Sequence, residues 1–88
     1  MKKGKLLPMP TILIENGFRL YFFANENNEP LHVHVQYQAA VAKFWLRPVA
    51  LANNLGMKAS ELRKAGNLVR RYEHLIEEKW DEFFSSKN

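Results

Sequence analysis

The run "EPLHVHVQY", residues 29 to 37, sets His32 and His34 two positions apart. It reads as a strand, and on a strand the side chains at i and i+2 leave the same face. Two imidazoles side by side suit three kinds of chemistry. As general acid and base they titrate near neutral pH and act on a proton such as that of an RNA 2′-hydroxyl, with a nearby cation stabilising the phosphorane charge. As metal ligands they fill two positions of a site that needs three or four. Glu15, Glu26, Glu29 or His74 would have to complete that site. No spacing singles one of them out, so no resident metal or other cofactor is expected. As part of a cationic and aromatic surface, the pair suits nucleic acid, because Lys and Arg meet phosphates while rings stack on bases. A plain solvated sheet face is the remaining reading, since aromatic and β-branched residues are good strand formers in any case.

The element that must position the pair is a hairpin. "AVAKFWLRP" follows, and a turn at Gln38-Ala39 sets Tyr37 opposite Ala40, Val35 opposite Ala42 and Val33 opposite Phe44. That face is apolar and is extended by Leu46. On the other face His34 lies opposite Lys43 and His32 opposite Trp45, with Gln36 and Arg47 alongside. A slip of one residue would bury Lys43 and both histidines on the core side. Arg19 and Tyr21 join the histidine face if "PTILIENGFRLYFFA" pairs alongside. That stretch is itself a hairpin, because Asn16-Gly17 supplies the positive φ values of a type I′ turn. The candidate binding set is therefore His32, His34, Lys43, Trp45, Arg47, Arg19 and Tyr21, and His32 and His34 are the candidate catalytic residues. The face is expected to be accessible to solvent, so neither histidine should be needed for folding.

Pro48 ends the regular pairing, and "VALANN" adds a short edge strand or an irregular turn. From Met57 the apolar period becomes helical. Leu62, Ala65, Leu68, Val69, Tyr72, Leu75, Ile76, Trp80, Phe83 and Phe84 form one stripe. Met57 and Leu62 have staple spacing, and Glu61 stands at N3 of a capping box with Lys58 at the N-cap; Ser60 would cap a later start. The pattern predicts one long helix ending near Ser85. Strands first and a helix last give an α+β class: an antiparallel sheet of four to five strands packed on one long C-terminal helix. Within that helix the bases gather first, from Lys58 to Arg71, and the acids later, from Glu73 to Glu82.

With 88 residues the chain makes one domain, expected over residues 10–88 behind a flexible basic tail at 1–9. The formal net charge of +4 comes mostly from Lys2, Lys3 and Lys5. A lysine tail adds non-specific attraction to phosphate, which keeps RNA or DNA among the candidate partners. The absence of cysteine excludes disulfides and thiolate metal sites. No apolar run reaches the roughly 18 residues of a membrane span. A cytoplasmic location, with no membrane partner, is the expectation. Ile12, Ile14, Phe23 and Trp45 fall away from the helix-packed face, and an apolar patch of that kind predicts a homodimer. No phosphate-cradling glycine loop, nucleophile elbow or zinc-protease motif is present.

Taken together, "PTI" at 10–12, "GFRLYFFANENNEP" at 17–30, "HVHV" at 32–35, "AKFWLRPVALANNLG" at 42–56 and "ASEL" at 59–62 resemble a small bacterial domain-of-unknown-function family, number 4160. Leu31 departs from the proline usual before the first histidine, and Gln38 stands where a turn glycine is common. The resemblance implies the same α+β fold and brings no established activity. Genes of this family commonly lie beside another small family, in cassettes resembling toxin–antitoxin or regulatory modules. The implied function is a binding component whose partner is a small protein encoded beside it, or nucleic acid. The alternative is a metal-independent ribonuclease-like toxin using the His-x-His pair.

Overall fold

The computed structural model describes residues 11–23 and 28–85. The tail assigned to residues 1–9 lies outside them. Asn16 and Gly17 take φ of 53° and 84°, the left-handed pair that a tight hairpin turn requires. They join β1 (Thr11–Glu15) to β2 (Phe18–Tyr21). Gln38 supplies the positive φ, 54°, between β3 (His32–Tyr37) and β4 (Ala40–Trp45). The register of that pair is the expected one throughout: Tyr37 faces Ala40, Val35 faces Ala42, Val33 faces Phe44, His34 faces Lys43 and His32 faces Trp45. Residues Ala50–Leu55 form a full edge strand, β5. The described sheet is antiparallel, in the order β1-β2-β3-β4-β5, so β3 is its centre.

The helical layer departs from expectation. It is two helices, α1 (Ala59–Arg71) and α2 (Glu73–Ser85), separated at Tyr72. Tyr72 has φ −106° and ψ 22°, outside helical values, although its amide still reaches the Leu68 carbonyl at 3.0 Å. The anchoring contacts fall at this point. Arg71 donates to Glu15 Oε2 at 2.9 Å and the Tyr72 hydroxyl donates to Glu15 Oε1, tying the junction to β1. Neither Pro nor Gly marks the break, and the apolar stripe runs through it in phase, so periodicity alone could not place it. At the start of α1, Lys58 stands at the N-cap with its backbone N–H donating to Glu61 Oε1 at 3.0 Å, the expected half of a capping box.

α1 packs on β3 and β4, and α2 packs on β1 and α1. One core results. Leu20, Phe22, Val33, Val35, Phe44 and Leu46 of the sheet side meet Ala65, Leu68, Val69, Ile76 and Phe84 of the helices. Tyr72 and Trp80 pack against its margin. Gly66 is buried in α1, and a Cβ there would meet Arg70 Nη1 at 3.5 Å and Phe44 Cε2 at 3.6 Å, ordinary contact distances. Glycine inside a helix costs roughly 0.5–1 kcal/mol relative to alanine. Gly66→Ala should therefore raise the unfolding free energy by about that amount in urea titration. A decrease would mean that Phe44 cannot yield. No helix among the described residues is long and apolar enough to cross a membrane.

Candidate functional site

Strand parity puts His32 and His34 on the face opposite Val33 and Val35, and pairing completes the neighbourhood. Tyr21 lies opposite His34, and Arg19 opposite Gln36, across the β2–β3 boundary. Lys43 and Trp45 stand on the other side. Six of the seven candidate residues therefore share one face: His32, His34, Lys43, Trp45, Arg19 and Tyr21. Arg47 does not join them. β4 ends at Trp45, and Arg47 follows with φ 65°, ahead of a cis bond to Pro48. Its guanidinium turns to α2, where Nε donates to Glu77 Oε1 at 2.8 Å. That hydrogen bond holds the Glu77 carboxyl below its ordinary range and raises Arg47 in turn.

The expected exposure of the histidines is overturned. His32 has no accessible surface and His34 has 7%. The centre strand is buried on both sides, because Val33 and Val35 are also fully enclosed. Rings surround the imidazoles. His34 stacks on Tyr21, with centroids 5.3 Å apart, and meets Phe23 edge-on at 4.6 Å. His32 meets His34 edge-on at 5.2 Å, Trp45 at 5.8 Å and Trp80 of α2 at 5.1 Å. Trp80 also touches Phe22 of the main core at 5.3 Å. It thus closes the sheet's end, where the two faces would otherwise meet water. His32 Nδ1 lies 2.9 Å from the Pro30 carbonyl oxygen. A carbonyl only accepts, so Nδ1 carries the proton and donates.

The polar groups around this cluster are also engaged. Lys43 Nζ meets Glu29 Oε1 at 2.7 Å and sits 4.6 Å over the Trp45 ring. The same Glu29 oxygen lies 3.7 Å from His32 Nδ1. Arg19 donates to Thr11 Oγ1 at 3.0 Å and to Gln36 Oε1 at 2.9 Å, with its guanidinium 4.5 Å over Tyr21. Sequence spacing passed over two of these parts. Glu29 was one of several possible metal ligands and proves to be the clamp on Lys43, while Trp80 was assigned to the helix stripe alone. Among the described residues no group of three or more His, Asp or Glu side chains is placed to hold a metal ion.

A general base must reach the proton that it removes. His32, with no accessible surface, and His34, set against Tyr21 and Phe23, both stand in packed aromatic surroundings. The accessible part of this face lies at its flanks. Ile14 is 66% exposed on β1 and Leu55 is 65% exposed on β5, next to half-buried Val41. Phe23 and Trp45 are half-buried at the cluster's edge, whereas Ile12, expected on this patch, packs against the main core. A register shift between Thr11 and Leu13 turns it there. Apart from Trp80, which reaches His32 at the sheet's end, the buried helix residues pack on the other face with Val33, Val35 and Phe44.

A family model described as "Domain of unknown function (DUF4160)" matches residues 17–81. No curated protein and no solved structure matches the chain.

Proposed function

The chain belongs to the DUF4160 family, and from that premise we propose that it is the protein-binding component of a two-gene bacterial module, acting in the cytoplasm by docking a partner encoded beside it. The observation that carries this reading is the uncovered sheet face. It exposes Ile14 and Leu55 while its histidines are enclosed, Lys43 is paired with Glu29 and Arg19 is hydrogen-bonded to Gln36. Exposed apolar side chains on a face without helical cover favour protein over nucleic acid. Base stacking would need free ring faces, yet Tyr21 is buried and Lys43 covers Trp45. The same face is the surface through which two copies would pair. Ribonuclease action by His32 and His34 is the reading that the enclosed rings support least.

The test is calorimetric titration of the purified chain with the product of the neighbouring gene. Ile14→Glu combined with Leu55→Glu should weaken binding by about a hundredfold, roughly 2.8 kcal/mol at 1.4 kcal/mol per factor of ten, with an unchanged melting temperature. Unchanged affinity in that variant would place the interface elsewhere. RNA cleavage lost in His34→Ala would overturn the reading in favour of catalysis.

A further inference from the structure

The two edges of the sheet are not equally protected. On β1, Glu15 is held by Arg71 and Tyr72, and α2 packs against the strand. β5 has no described strand on its outer side, and its sequence, "ALANNL", contains neither charge nor proline. Edge strands normally carry such features, because their unpaired backbone groups template further pairing. Beside β5, on the helix-bearing side, runs a groove of about 350 Å³ lined by Phe44, Val49, Leu51 and Leu62, with Arg63 and Arg70 among its walls. Leu51 is 49% exposed there. Arg63 and Arg70 are exposed, and among the described residues neither meets a carboxylate; Arg70 donates only to Asn67 Oδ1, at 3.1 Å.

We propose that this edge accepts an extended acidic segment of another protein as a sixth strand. Its backbone pairs with β5, an apolar side chain enters the groove, and carboxylates meet Arg63 and Arg70. Strand addition supplies affinity through main-chain hydrogen bonds, and pockets for alternate side chains supply selectivity. The carboxylate preference follows from two unneutralised guanidinium groups beside an uncharged strand. The inference rests on the chain's being a protein-binding module but uses the outer backbone edge of β5 and the groove on its helix-bearing side, whereas Ile14 and Leu55 point to the opposite face of the sheet.

The probe is a fluorescein-labelled peptide of alternating glutamate and leucine, with a lysine–leucine peptide of the same length as control. Anisotropy should show binding of the acidic peptide alone. Arg63→Gln with Arg70→Gln should weaken it about tenfold or more. Amide exchange should slow across residues 50–55 of the full chain when the acidic peptide is present. Equal binding of both peptides, no binding, or binding without that protection would overturn the proposal. The assay contains no neighbouring-gene product, so its failure leaves the titration at the open face standing, and failure there leaves this assay standing.

Discussion

Replacing His32 with alanine should destabilise the protein by about 2–4 kcal/mol, the scale of removing a buried ring together with a satisfied hydrogen bond. The ring has no accessible surface and touches His34, Trp45 and Trp80. Removing it leaves a cavity where the end of the sheet meets α2, and leaves the Pro30 carbonyl without its donor. Domains of this size have roughly 4–13 kcal/mol in total at the usual per-residue scale, so the loss is a large fraction. His34→Ala should behave similarly but more mildly, since His34 lies nearer the surface. Guanidinium denaturation of both variants measures this. A change below about 0.5 kcal/mol in His32→Ala, the range of ordinary surface substitutions, would show that the ring is not packed in solution.

Ile76→Ala should cost about 2–5 kcal/mol, the range for large-to-small changes in a core. Ile76 is fully buried and lies one turn past the Tyr72 break, with its amide donating to the Tyr72 carbonyl at 2.9 Å. It pins α2 to the same core as Val33 and Phe44. The sequence stripe and the structure agree on this residue. The size of the effect reports whether the second helix is docked as firmly as the first. A loss under about 0.5 kcal/mol would mean that α2 sits off the sheet and that α1 carries the core.

Much of the architecture was legible from local rules. Asn16-Gly17 demanded its turn because few residues tolerate two successive positive φ values. Alternation in "HVHVQY" and "AVAKFW" fixed the register, because a slip of one would exchange the faces. The stripe from Leu62 to Phe84 fixed which side of the helices is buried. Parity and pairing alone also place six of the seven candidate residues on one face. Arg47 escaped that rule because its backbone leaves the strand at Trp45, and parity carries no information beyond a strand's end.

Burial of the histidines was decided only in three dimensions. Imidazole is at home inside or outside a protein, so a His-x-His alternation reads as a wet face until its cover is known. The cover comes from Tyr21 and Phe23 on one neighbour, Trp45 on the other, and Trp80 from α2. No local pattern links these residues. The break at Tyr72 is of the same kind, for it coincides with contacts from Arg71 and Tyr72 to Glu15 on the far edge strand. Periodicity along a chain determined which side each residue takes. What lies against that side depends on elements distant in sequence, whose packing only the tertiary structure sets.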